Sequence, residues 1–224
     1  MAATPDTAPR RSAPRGGLGR FSPPDWAFMP GAALVFAGLV AVAMIYEPAG
    51  EDPVVTQTEY VMAGPALAQL VPGPGTGFQL ITTGGTPLAR LTATASLEAA
   101  GAMSAGIAAV MPAEFEARLP GRLVKVEARL RAGPEAGIEE ARIAYFSTGG
   151  GAASGWRTVR VSETFETVGF CYTVDPEAPL NEMEIVGLWP DIRGASRSLL
   201  LQELRVTIQP GEVSQDECER SIGL

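Results

Sequence analysis

Residues Leu123 to Arg131, LVKVEARLR, alternate apolar and charged side chains without a break. In an extended chain Val124, Val126, Ala128 and Leu130 share one face, and Lys125, Glu127, Arg129 and Arg131 share the other. That is the pattern of an antiparallel strand with one buried and one wet face. The same period of two returns on both sides of it. In Arg90 to Leu97, Leu91, Ala93, Ala95 and Leu97 alternate with Thr92, Thr94 and Ser96. Further strands are predicted at Ser104–Val110, Glu139–Phe146, Gly155–Val161, Glu166–Val174, Glu182–Leu188 and Leu199–Ile208. Turn chemistry separates them, as in Thr83-Gly84-Gly85, Leu119-Pro120-Gly121, Ala132-Gly133-Pro134, Thr148-Gly149-Gly150-Gly151 and Asp175-Pro176. The Ala-rich stretch Leu97–Leu119 also suits helix, but Gly101, Gly106 and Pro112 limit it to a turn at Pro112–Arg118. Eight or nine short strands with no helical repeats between them predict an all-β, antiparallel sandwich.

Within Glu166–Val174, Val168, Phe170, Tyr172 and Val174 point to one side, so Cys171 points to the other, where a C-terminal tail reaches it. The partner expected is Cys218, the only other cysteine. The competing reading, a reactive or lipidated thiol, has neither C-x-x-C spacing nor a lipobox to support it.

Outside the sandwich, residues 26–46, WAFMPGAALVFAGLVAVAMIY, carry no charge. As a helix they span roughly 31 Å, the thickness of a bilayer's hydrocarbon core. Arg10, Arg11, Arg15 and Arg20 precede the stretch while Glu47, Glu51 and Asp52 follow it, which predicts a cytoplasmic N-terminus and an exported C-terminal part. Trp26 and Tyr46 stand where interfacial rings sit, and Pro30 falls in the first turn. A cleaved signal peptide is the alternative, since Ala41-Val42-Ala43 matches A-x-A; Met44-Ile45-Tyr46 prolong the apolar run past it and favour a retained anchor. Arg10-Arg11 is followed by Ser-Ala-Pro and is not read as a twin-arginine signal. The domain plan is a Pro-, Gly- and Arg-rich tail at 1–25, a membrane span at 26–46, a stalk at 47–77 with five prolines and a short strand or turn around Glu59 to Leu70, the sandwich at 78–210 and a tail at 211–224.

Composition excludes several chemistries. The chain of 224 residues has no His and a single Lys, Lys125, so histidine triads and His-ligated metals are ruled out. Sixteen Arg against one Lys, with heavy Ala and Gly usage, point to a GC-rich bacterial genome and place the exported part in the periplasm. Beyond the tail, 13 Lys plus Arg face 23 Asp plus Glu, a surface that repels nucleic-acid phosphates. In that oxidising compartment the Cys171–Cys218 pair is expected to be bridged.

A resemblance adds to this. Ala105-Gly106-Ile107, then Leu119-Pro120-Gly121-Arg122 before a strong strand, then Ala144-Tyr145-Phe146, Ser154-Gly155-Trp156 and a last strand Leu204–Ile208, taken in order, resemble the galactose-binding-like jelly rolls of many carbohydrate-binding modules. The likeness runs from about Phe78 to Pro210 and is shared with exported single-span alphaproteobacterial proteins. It implies a jelly-roll sandwich and has no position-specific sugar motif to carry over.

Sugar recognition needs a flat aromatic face with carboxylate or Arg groups beside it. Two places offer that: Trp156 next to Arg157, and, the better of the two, Trp189 with Asp191 and Arg193 where a strand gives way to a loop. The structural alternatives are core packing for both tryptophans and a turn-shaping pair for Asp191 and Arg193. Glu182 and Glu184, two apart on one strand and hence on one face, are a candidate hydrolase pair, but solvent-facing acidic alternation produces such a pair by chance and is the reading taken. Gly149-Gly150-Gly151 lacks a P-loop frame, and Lys125 sits on a solvent row. A structural Ca²⁺ between strands has no spacing to mark it. The expectation is a non-catalytic periplasmic module, anchored in the inner membrane, that binds glycan or another envelope polymer. The alternative is an accessory or scaffold subunit of a membrane protein complex, with Gly31, Ala32, Gly38 and Ala41 packing a neighbouring helix.

Overall fold

The computed structural model describes residues 51–101, 104–134, 138–147, 153–177 and 183–222. The predicted span at 26–46 and the tail before it lie outside these residues. Among the described residues no helix is long and apolar enough to cross a membrane.

The described residues form twelve strands: β1 (Val54–Val55), β2 (Glu59–Ala63), β3 (Val71–Pro72), β4 (Thr76–Thr83), β5 (Thr86–Ala93), β6 (Ile107–Val110), β7 (Leu123–Ala132), β8 (Glu140–Ser147), β9 (Arg157–Arg160), β10 (Glu166–Thr173), β11 (Glu184–Trp189) and β12 (Ser198–Ile208). Among the described residues three short α-helices accompany them: α1 (Leu97–Ala100), α2 (Ala113–Glu116) and α3 (Gln215–Arg220). The strands make a sandwich of two antiparallel sheets. The first has seven strands, with β7 along one side of β12 and, on its other side, β5 and then β2. β10 lies beyond β7, β4 beyond β5 and β1 beyond β2. The second sheet holds β11-β8-β9 and the pair β3-β6, which meets β11 through a bridge from Gly106 to Leu188 and a bond from the Met111 N–H to the Glu184 carbonyl (3.1 Å).

The decisive strand behaves as its alternation requires. Val124, Val126, Ala128 and Leu130 of β7 lie in the core, while Lys125 and Glu127 pair on the outer face at 3.1 Å. β12 departs from strict alternation. A bulge between Leu201 and Glu203 shifts its parity, so that Leu199 and Leu201 are followed in the core by Leu204, Val206 and Ile208. Without the bulge Glu203 and Arg205 would face the core; they pair outside at 2.9 Å.

The stalk expected at 47–77 is corrected from residue 51 onward. β2 sits inside the seven-stranded sheet, and Tyr60 and Met62 from it are fully buried. A 3-10 helix, Gly64–Gln69, follows with Pro65 at its start and buries Ala66 and Leu67. The prolines that suggested a linker therefore punctuate short folded elements. The tail expected at 211–224 contains α3, held by a reciprocal Ser214–Glu217 capping box. In the stretch Leu97–Leu119, α2 follows Pro112 and buries Phe115, and α1 is capped by Ser96.

Candidate functional site

Trp189, Asp191 and Arg193 do come together, at the end of β11, but the first two are interior groups. Trp189 is 0% exposed, and its indole N–H donates to the Asp191 carbonyl at 3.1 Å. It lies on the face of the second sheet away from the main core, where Gly106 (φ +66°) passes so close that an added Cβ would stand 2.9 Å from the ring's Cε3. The Asp191 carboxylate, in a residue 1% exposed, organises the following loop. It accepts the backbone N–H groups of Arg193 (3.2 Å), Ala195 (2.8 Å) and Arg197 (3.2 Å), and the Arg197 guanidinium at 3.0 Å. Burial pushes its pKa up, but the Arg197 hydrogen bonds, the Arg193 N–H and the Arg197 charge outweigh that and hold it below the usual value. Arg193 lines a pocket of 220 Å³ with Glu139, Glu140, Ile192 and Arg197.

A lowered folded pKa means that Asp191 contributes stability above the unfolded carboxyl pKa, and that this contribution is lost as pH falls through the folded value. Urea midpoints between pH 2 and 7 are expected to drop on the acid side in the parent. In Asp191→Asn that acid limb is expected to flatten, with a loss of roughly 2–3 kcal/mol at neutral pH. An unchanged acid limb would remove Asp191 from this role.

Trp156 is placed differently. It precedes β9, the outermost strand of the second sheet, and it meets Phe146 edge-on at 5.4 Å and Trp189 at 6.4 Å. It is half-buried, and its indole N–H is shielded from solvent without a hydrogen-bond partner among the described residues. Between β9 and β10, the outermost strand of the first sheet, opens a cleft of 660 Å³. Trp156, Arg157, Arg160 and Glu166 line it, with Glu219 and Ile222 from α3 and the residues after it. Among the described residues neither Arg157 nor Arg160 makes an ion pair.

The Cys171–Cys218 disulfide holds the C-terminal segment that brings Glu219 and Ile222 to this cleft. Cys171 points away from the core, as the alternation of β10 requires, and the bond (Cα–Cα 6.1 Å) ties α3 against that strand. Sequence reasoning paired the cysteines but did not carry Glu219, Ile222, Arg160 and Glu166 to Trp156. The available signal was that a tail tied to Cys171 must lie along β10.

Of the suggested hydrolase pair only Glu184 lies among the described residues. Glu182 lies outside the described residues, as do Gly149-Gly150-Gly151. Glu184 is 4% exposed and accepts the Ser147 hydroxyl at 2.9 Å, while its N–H donates to the Glu116 carboxylate at 2.9 Å. Burial, opposed by that N–H and reinforced by the charges of Glu184 and Glu114, raises the Glu116 pKa. Tyr145 and Tyr172, ring centroids 5.2 Å apart, adjoin this acidic pair, and burial raises both phenols. Among the described residues no group of three or more Asp, Glu or Cys gathers as a metal site.

No protein-family model matches the chain, and no curated protein matches it either. Solved structures to which it is similar are carbohydrate-binding modules, jelly-roll domains of the galactose-binding-like type. The CBM22-1 xylan-binding domain from Paenibacillus barcinonensis Xyn10C aligns at 10% identity and a TM-score of 0.43, over 62% of this chain and 85% of that one. The C-terminal family 22 module of Clostridium thermocellum Xyn10B aligns at 10% and 0.45, over 73% and 100%. The family 11 module of the C. thermocellum cellulase Lic26A-Cel5E aligns at 8% and 0.37, over 71% and 95%. At such identities and scores the likeness is one of outline, and what this chain does is argued from its own residues.

Proposed function

We propose that the chain is a non-catalytic, glycan-binding β-sandwich held at the periplasmic face of a bacterial inner membrane by residues 26–46. The observation that carries the binding part is Trp156: a half-buried indole at the mouth of a cleft that also presents Arg157, Arg160, Glu166 and Glu219. An indole packs against the C–H face of a sugar ring, and Arg and Glu bond its hydroxyl groups. Glu184, the one described member of the candidate acid pair, is enclosed by Ser147 and Glu116, which favours binding over hydrolysis. The tether rests on the charge-free stretch 26–46, arginines before it and acids after it.

The test is a glycan array probed with the full-length chain in mild detergent, beside Trp156→Ala and Trp156→Tyr. Signal on defined sugars is expected to fall at least tenfold in Trp156→Ala, with most of it kept in Trp156→Tyr, since a flat ring remains. Equal binding by Trp156→Ala and the parent would move the site elsewhere, and no signal from a folded parent would end the glycan reading. Reporter fusions at the two ends check the tether: a periplasmic N-terminus or a soluble product would overturn it.

A further inference from the structure

We propose, resting on the glycan reading of the Trp156 cleft, that its ligand is an acidic saccharide whose carboxylate is held by Arg157 and Arg160. The two sides of the cleft are chemically opposite. Trp156, Arg157 and Arg160 come from β9 and the residue just before it. An indole and two guanidiniums offer hydrogen-bond donors and no acceptor. Glu166 comes from β10 and Glu219 from α3, and their ionised carboxylates only accept. The two sets do not close on each other. Among the described residues neither arginine makes an ion pair, and the Trp156 indole N–H has no hydrogen-bond partner.

Arg160 also leaves a neighbouring carboxylate untaken. In the register of β8 with β9 it stands directly opposite Glu140, the position at which opposite charges pair across strands. That pair does not form among the described residues. Glu140 lines the 220 Å³ pocket beside Arg193 and Arg197, while Arg160 lines the Trp156 cleft. On the outer face of the first sheet the bases behave otherwise. Lys125 pairs with Glu127 at 3.1 Å, and Arg205 with Glu203 at 2.9 Å and Glu59 at 3.4 Å.

A sugar acid answers both sides at once. A carboxylate accepts only, and its two oxygens match the fork of a guanidinium. The ring hydroxyls of the same sugar donate to Glu166 and Glu219. A neutral sugar would leave the guanidiniums without a charged acceptor, and an amino sugar would set its ammonium on the Glu side and do the same. The chain's net charge of −8 opposes an anion at long range. It is screened beyond about 8 Å at physiological ionic strength, so the groups inside the cleft decide which sugar is preferred. There two guanidiniums balance two carboxylates and are held apart from them.

The experiment titrates the full-length chain in mild detergent, at physiological salt, with oligouronates and with an amino-sugar disaccharide carrying a lactyl-ether acid. Each acid is set beside its methyl ester, which keeps the rings and removes the charge, and the arm that binds says which kind of acid is read. At least one acid is expected to bind tenfold or more tighter than its ester. In Arg157→Gln/Arg160→Gln the acid is expected to fall to the level of the ester, with ester binding unchanged. In Trp156→Ala both are expected to fall together, which separates the ring from the charge. Acid and ester bound alike by the parent would overturn the proposal and leave the glycan reading standing. A preference for the acid that survives in the double arginine variant would overturn it too, as would tighter binding of an oligomeric amino sugar than of any acid. Binding of no saccharide at all, charged or neutral, would end the glycan reading and this proposal with it.

Discussion

Replacing Trp189 with alanine is expected to destabilise the domain by about 3–5 kcal/mol, the range for removing a large buried aromatic. Typical domains have only about 5–15 kcal/mol in total, so the variant approaches unfolding at physiological temperature. Three losses combine. The side chain is 0% exposed and its neighbours Gly106 and Trp156 are set by strand geometry, which limits collapse into the cavity. The indole N–H bond to the Asp191 carbonyl disappears. Asp191 in turn holds the backbone N–H groups of Arg193, Ala195 and Arg197, so the loop loses its anchor to β11. Urea unfolding of the parent, Trp189→Phe and Trp189→Ala measures this. Trp189→Phe keeps much of the ring volume and loses the hydrogen bond, so it should fall between the other two. A Trp189→Ala midpoint within about 1 kcal/mol of the parent would mean that the site collapses freely or that the ring is not enclosed. Binding lost in Trp189→Ala would follow from unfolding, which makes Trp156 the residue to vary when the readout is a ligand.

Why the two tryptophans differ was only partly legible in the sequence. Period-two patterning fixes parity: with Val186 and Leu188 in the core, Trp189 faces the other side of its sheet. Parity alone predicts exposure there. The indole is buried because the chain around Gly106 and the loop after Asp191 fold over that face, contacts between segments distant in sequence or turned back on themselves. β7 and β10 were readable because each has one unbroken wet or apolar row, and Cys171 was placed on the outer side by the same rule. β2 was not readable as core, since its five residues sit among prolines and glycines; burial of Tyr60 and Met62 depends on β12 lying beside them. The bulge in β12 hides in the same way. Its local sequence fits two registers, and the cost of burying Glu203 and Arg205 decides between them.

Opening the Cys171–Cys218 bond is expected to act on stability and on the cleft together. Its sequence separation of 47 corresponds, in the chain-entropy account, to about 4 kcal/mol. Other forces on α3 are small. The helix has six residues, too few to be stable alone, and Cys218 is its only buried side chain. The capping box sets its start but does not dock it against β10. In Cys171→Ala/Cys218→Ala, therefore, α3 should leave the strand, taking Glu219 and Ile222 from the wall opposite Trp156 and uncovering one side of β10. The expected results are a urea midpoint lower by several kcal/mol equivalents, early proteolytic cleavage after about residue 210, and a fall in sugar affinity measured where the domain is still folded. Dithiothreitol should reproduce all three in the parent and change nothing in the variant. The measurement separates two roles for the bond. If stability falls while α3 stays protected and sugar affinity holds, the disulfide acts on the unfolded chain alone and the cleft does not need its C-terminal wall. If affinity falls along with protection of α3, the bond is part of the binding site, and a reducing environment would weaken ligand binding before it unfolds the sandwich.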